Sequence, residues 1–292
     1  MEAAKITGAK VSITGMLKYL NVSRSGFHAF LKRKPSYTEK HRAEIKTKIL
    51  QIYNKSFQNY GAPKITQELK KQNIRISQRT VSSYMQQMGI HAQWVKPWIA
   101  TTLDSDFSST LHNILNERFN PPTPNSVWCT DITYIWTALD GFVYLTSIMD
   151  LYSRKIIAWT LSRKMDVSCV IDTVKKAKSQ RELDHPLIIH SNRGSQYVSS
   201  AYRDVTQNPQ RSYSHKEYPY DNACIESFHS LIKREWLNRV SIQDYYQAYS
   251  LVFEYIETFY NTVRIHSHCD YMSPDDFEEQ YSNLQKPAKQ AI

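Results

Sequence analysis

The spacing of apolar positions changes character along this chain, and each change marks an expected boundary. From Ile13 to Arg33 it is helical. Met16, Leu17 and Leu20 lead into an Asn21-Val22-Ser23 turn, and Ser23 is placed to N-cap a second helix. That helix sets Phe27, Phe30 and Leu31 on one side and Arg24, Ser25 and His28 on the other, with Lys32 near its end. The pattern predicts a helix–turn–helix whose second helix offers a polar, hydrogen-bonding face. A similar unit follows Pro35, with helices expected over 38–54, 64–71 and 78–88. There Ile65, Leu69, Val81, Tyr84 and Met85 point inward, and Arg79, Ser82 and Ser83 outward. Either unit alone has the spacing of an ordinary helical hairpin; two in tandem are harder to attribute to chance. Between Pro97 and Pro124 the periodicity fades, which predicts a linker with a short helix near residue 112.

Beyond Pro124 the period becomes two. Trp128, Thr130, Ile132, Tyr134 and Trp136 share one face of a strand, and Cys129, Asp131, Thr133 and Ile135 the other. Phe142–Met149 is nearly continuous in apolar character, as a central strand would be, and Lys155–Leu161 gives a third strand. Asp166 is placed to cap a helix carrying Val167, Val170, Ile171 and Val174, and Leu187–His190 reads as a further strand. Asp221-Asn222 should cap a helix reaching Leu237, and Ser241 a longer one whose aromatic stripe (Tyr245, Tyr249, Phe253, Phe259) reads as packing rather than base stacking. This order predicts an RNase H-like α/β domain, a mixed five-stranded sheet with flanking helices, preceded by all-α tandem helix–turn–helix modules. The expected divisions are 1–37 and 38–96 for the modules, 97–124 for the linker, 125–270 for the α/β domain and 271–292 for a tail.

At 292 residues the chain allows roughly two domains, and 41% hydrophobic with 12% aromatic content excludes a disordered chain. The distribution of charge is more telling than its total. Residues 1–100 hold 18 Lys/Arg against 4 Asp/Glu, a balance of +14; the remainder holds 37 − 18 = 19 against 27 − 4 = 23, a balance of −4. A basic front half implies a polyanionic partner. Cys129, Cys169, Cys224 and Cys269 form no CxxC pair, so they read as reduced thiols. His266-Ser267-His268-Cys269 lacks the second ligand pair that a zinc site needs. The apolar runs are too short to span a membrane, and a soluble, cytoplasmic protein is expected.

Candidate chemistry centres on Leu187 to Tyr197, where an apolar run breaks into the polar loop His190-Ser191-Asn192-Arg193-Gly194. Open α/β sheets place ligands at the carboxyl ends of their strands. Asp131 and Glu226 are the acids expected to face this loop, yet position 192, where a metal site would want a third carboxylate, is an amide. Glu226 and Lys233 lie seven apart on one helical face, beside His229 and Ser230. That spacing alone also fits solvent-exposed side chains.

Several stretches together resemble the third family of insertion-sequence transposases, in the downstream-frame (OrfB) type. They are Trp128 to Tyr134, Ile148 to Arg154, His190 to Tyr197, Asp221-Asn222-Ala223, Glu226-Ser227-Phe228, Lys233, and Tyr260-Asn261 with Arg264 and His266. The resemblance spans almost the whole chain and implies an integrase-core enzyme of the DDE kind. It makes Asp131, residue 192 and Glu226 the catalytic, metal-holding triad for Mg²⁺, with Mn²⁺ as a substitute. Implied too are 3′-end cleavage at terminal inverted repeats followed by strand transfer into target DNA. Arg24, Ser25, His28, Lys32, Arg79, Ser82, Ser83, Arg193, Lys233, Asn261, Arg264 and His266 become expected contacts to double-stranded DNA. A homodimer or larger assembly is expected on DNA, with an upstream-frame (OrfA-type) protein or fusion portion as a further partner.

Asn192 departs from the family's aspartate. An amide is neutral and one of its ends is a donor, so the departure predicts strongly reduced chemistry with fold and DNA binding kept. A substitution that traps an uncleaved complex and a naturally decayed copy both account for it. A non-catalytic DNA-binding regulator is the alternative reading, and a plain nuclease of this fold would have no evident need of two end-reading modules.

Overall fold

The computed structural model describes residues 12–93, 111–215 and 218–289, which fall into two compact units, Met1–Gln51 and Ile52–Ile292. In the first, Ser12 and Ser23 each accept a hydrogen bond from the third residue beyond, starting α1 (Ile13–Tyr19) and α2 (Arg24–Lys32). α3 (Tyr37–Lys55) follows, and the division between the units falls within it. The apolar side of α2 is not buried: Phe30 and Leu31 are exposed, and among the described residues of this unit only Leu17, Ile45 and Ile49 are enclosed. Two short helices and part of a third do not supply enough apolar surface to cover that side.

The second unit opens with α4 (Ala62–Lys71) and α5 (Gln78–Gln87), which bury Ile65, Leu69, Val81 and Met85 between them. Pro63 sits in the first turn of α4, where a missing N–H is harmless. Ser77 caps α5, its Oγ accepting from Thr80 N at 3.1 Å. The loop before α4 docks on the carboxyl-terminal part of the chain: Tyr60 Oη donates to Val263 O and accepts from Ile265 N, and Phe57 meets Trp236 and Phe259 edge-on.

The sheet comprises β1 (Val127–Thr137), β2 (Gly141–Asp150), β3 (Ile156–Ser162), β4 (Ile188–Ser191) and β5 (Gln210–Tyr213), ordered β3-β2-β1-β4-β5. β1, β2 and β3 pair antiparallel; β4 and β5 add in parallel. α6 (Val167–Gln180), capped by Asp166, covers one face, packing Cys169, Val170, Val174 and Ala177 against Trp128, Ile148 and Ala158. Two short helices, α7 (Ser195–Val198) and α8 (Ser200–Val205), lead into β5. The other face carries α9 (Ala223–Glu235) and α10 (Tyr245–Phe253), the latter running on as a π-helical turn over Glu254–Tyr260.

Several expectations shift. β5 was not individually legible, since its residues alternate no better than a loop. Among the described residues the expected short helix near residue 112 does not form: His112 O accepts from Tyr213 N, Ser212 Oγ takes the N–H groups of Ile114 and Leu115, and the chain then turns over 114–117. Residues 94–96 of the expected second module and 97–110 of the expected linker lie outside the described residues. Asp221 does not cap α9; it accepts from His215 N and pairs with His215 Nδ1. Asp244, rather than Ser241, caps α10, with Gln247 N at 2.8 Å. The expected tail contains α11 (Pro274–Lys289), whose Glu278 takes two hydrogen bonds from Arg181 and one from Ser153.

Buried polar pairs lock the end of this unit. Arg264 forks onto Glu235 with two 2.7 Å bonds, and Tyr255 Oη donates to the same carboxylate at 2.8 Å. Removing one partner strands a buried charge. Arg264→Met is therefore expected to cost about 3–5 kcal/mol in denaturant unfolding, and pairing it with Glu235→Leu should recover most of the loss.

Candidate active site

The parallel ladder between β1 and β4 is four residues long, Val127↔Ile188 to Thr130↔Ser191. The next residues of the two strands, Asp131 and Asn192, are therefore neighbours at the carboxyl end of the sheet. Asn192 Nδ2 donates to Asp131 Oδ1 at 2.7 Å, while Asn192 Oδ1 accepts from Gly194 N at 2.9 Å. A backbone N–H can only donate, so the Gly194 contact fixes which end of the amide meets Asp131.

The freed edge of β1 is met by α9. Thr130 O, left without a strand partner on that side, accepts from Asn222 Nδ2 at 3.2 Å. That contact holds the start of α9 at the ladder's end, and one turn on comes Glu226. His229, a further turn along, places Nδ1 3.6 Å from Asp131 Oδ2; its Nε2 is buried without a hydrogen-bond partner. Lys233 completes the face, its Nζ 4.4 Å from the centre of the Tyr134 ring. Burial lowers the Lys233 ammonium's pKa, and Asp131 partly offsets that. Glu226 forms no hydrogen bond or ion pair among the described residues. Burial, and after it the charge of Asp131, pushes its carboxyl up to about 7.

Two carboxylates close enough to repel, with no ammonium or guanidinium bonded to Glu226, suit a hard divalent cation. Asn192 fits less well, because it turns a donor toward Asp131 and its oxygen is taken by Gly194. Among the described residues no group of three or more His, Cys, Asp or Glu side chains is arranged to hold a metal ion.

The remaining expected contacts divide by burial. Arg24, Ser25, His28 and Lys32 on α2, and Arg79, Ser82 and Ser83 on α5, are all exposed. Arg193 is half-buried, and its guanidinium donates to Ser214 O and Leu111 O. Asn261, Arg264 and His266 are buried. Asn261 clamps both main-chain groups of Ile156, Arg264 is bound to Glu235, and His266 lies against Arg264 and the Tyr260 ring. Direct DNA contact, expected of these three, is not what this packing provides. The contact of His229 with Asp131 was not assigned from sequence, although its position three residues after Glu226 was the available signal.

Family comparison agrees with this architecture. The integrase core domain family matches residues 121–215, and a second integrase core domain description matches 208–274. An HTH-like domain matches 40–98. The transposase for insertion sequence element IS904 of Lactococcus lactis is 36% identical over 85% of this chain and 98% of its own length. Transposase InsF for insertion sequence IS3A of Escherichia coli is 32% identical over 92% of this chain and 95% of its own. The chain belongs to the IS3 family of insertion-sequence transposases. Among solved structures, the HTLV-2 integrase catalytic core domain in complex with magnesium is similar at 15% identity and a TM-score of 0.41, over 54% of this chain and 98% of that one. The catalytic domain of Mos1 mariner transposase is similar at 13% identity and 0.38, over 46% and 71%.

For this transposase chain the raised Glu226 carboxyl has a measurable consequence. The folded chain holds that proton more tightly than the unfolded one. The stability this supplies is complete below the ordinary value of 4.5 and is lost as pH rises through about 7. In metal-free buffer Glu226→Gln should melt above the parent at about pH 8, and the two melting curves should converge as pH falls below about 5.

Proposed function

We propose that this chain is built to bind the inverted repeats of an insertion sequence and to carry out 3′-end cleavage and strand transfer, with chemistry strongly impaired by Asn192. The convergence of Asp131, Asn192 and Glu226 at the end of the β1–β4 ladder carries this reading. Asp131 and Glu226 would hold Mg²⁺, or Mn²⁺ in its place. When bound, such an ion supplies the positive charge that activates an oxygen nucleophile and steadies a leaving oxygen. Asn192 supports the impairment. Where a third anionic ligand is wanted it offers a neutral amide with its donor turned to Asp131, and so stabilises the Asp131 carboxylate by a hydrogen bond instead. Lys233 stands beside the acids as a point charge for a DNA phosphate.

In this reading residues 1–37 and 38–96 are DNA-reading modules, presenting Arg24, Ser25, His28 and Lys32 from α2, and Arg79, Ser82 and Ser83 from α5. Residues 125–270 form the catalytic domain. Two ends must be held together, so two or more copies assemble on DNA, with an upstream-frame partner or fusion portion completing the active form. A non-catalytic regulator is the second reading, favoured by the same amide.

The test pairs this chain with its Asn192→Asp variant in Mg²⁺-dependent cleavage and joining of DNA carrying the element's ends. Activity in the variant alone is expected. Comparable activity in both would refute the triad, and activity in neither, with end-specific binding intact, would favour the regulator. On α5, Arg79→Ala should weaken duplex binding across sequences. It should also reduce the slope of log affinity against log salt by about 1 if Arg79 contacts one phosphate.

A further inference from the structure

The β1–β2 hairpin carries three large aromatic side chains that stay about half exposed or more. Tyr134 is 45% exposed, Trp136 61% and Phe142 47%. Their shared position follows from register. Ile132, Thr146 and Thr160 form one row across the sheet; Tyr134, Tyr144 and Ser162 form the next; Trp136 and Phe142 form the outermost. α6 begins over the first row, where Thr146 Oγ1 donates to Cys169 Sγ at 3.4 Å. The two outer rows project past the start of α6.

The ledge is rigid. Phe142 stands edge-on to Tyr134 and Trp136, with ring centres 5.3 and 4.9 Å away, so the rings do not stack face to face on one another. The turn beneath is fastened by Thr137 Oγ1 donating to Gly141 O, with Gly141 at a positive φ of 72°. Cations flank the ledge on both sides. Lys233 reaches round the free edge of β1 onto Tyr134, and exposed Lys164 follows the end of β3, where Ser162 lies in the Tyr134 row. Asp140, the acid in the turn, already accepts from Tyr245 N and faces Arg163.

Open aromatic faces between cations suit an unpaired nucleic-acid strand, whose bases stack and whose phosphates need positive charge. They suit a second copy of this chain poorly. A symmetric contact would bring Lys233 and Lys164 of both copies together, while the nearby acids are already engaged, Asp140 with Tyr245 N and Arg163, and Asp166 with Ser168 Oγ, Cys169 N and the charge of Lys164. We infer that this ledge binds a single DNA strand, stacking unpaired bases on Trp136 and Phe142 while Lys233 and Lys164 take phosphates, and so guides the strand to the Asp131–Glu226 site. The inference rests on the DNA-acting function proposed above.

The test uses the whole chain without divalent metal, a labelled oligothymidylate of about 16 nucleotides, and a duplex of equal length. Trp136 is exposed, so its replacement should leave the melting temperature unchanged. Trp136→Ala is expected to weaken oligothymidylate binding about 5- to 100-fold at unchanged duplex affinity. Trp136→Phe should restore most of it, and oligothymidylate should quench a tryptophan signal that Trp136→Phe lacks. Equal single-strand affinity in parent and Trp136→Ala, with duplex binding intact, overturns the ledge and leaves the proposed function standing. Binding of neither DNA by the parent overturns both. Should Trp136→Ala instead disperse an oligomer at unchanged oligothymidylate affinity, the ledge is an interface between copies and the inference falls.

Discussion

The parallel ladder between β1 and β4 ends at Thr130 and Ser191, and the geometry of the site descends from that ending. Parallel pairing sets Asp131 and Asn192 side by side because each is the first residue past the last rung. β1 runs on from Asp131 to Thr137 without β4 beside it, so Thr130 O needs another donor. Asn222 supplies it, and thereby sets the start of α9 where Glu226, His229 and Lys233 fall along one face toward Asp131. The same free edge lets Lys233 pass round the strand to Tyr134. A longer β4 would have covered Asp131 and kept α9 away.

The electrostatics follow from the placement. Burial, and after it the charge of Asp131, raises the Glu226 carboxyl, and the cationic neighbour on the helix, Lys233, is itself lowered by burial. Placing a carboxyl beside a second acid and away from water disfavours its charged form. Asn192 changes the balance without changing the shape. Its amide gives Asp131 a hydrogen bond and adds no negative charge beside it.

The strands β1 to β3 and the helices α1 to α6 were readable because each repeats one period over several residues under a recognisable cap, as Ser23, Ser77 and Asp166 show. β5 is four residues long and too short for a period to declare itself. Asp221 misled as a cap because a carboxylate before a helix serves equally well as an acceptor for a neighbouring His, and only the fold brings His215 there. Asp131, Asn192 and Glu226 were legible as a group through resemblance. His229 could be placed on the right face, but its approach to Asp131 depends on how far α9 is tilted by Asn222.

The distinction between motif and role is sharpest at the carboxyl-terminal end. Tyr260, Asn261, Arg264 and His266 carry the family resemblance alongside Glu226 and Lys233, and polar residues in a transposase-family chain invite assignment to DNA. Their donors are nonetheless consumed inside the protein. Asn261 satisfies the free main-chain edge of β3 at Ile156, Tyr260 Oη donates to Arg154 O, and Arg264 neutralises Glu235 at the end of α9. These contacts brace the two ends of the same machinery, the strand edge beside β2 and the helix that bears Glu226. A buried polar network of this kind tolerates few substitutions, since each lost partner leaves an unsatisfied group. The motif thus marks two physical demands at once: polar side chains brought together at the ladder's end, and hydrogen bonds that must stay inward so that α9 keeps its place.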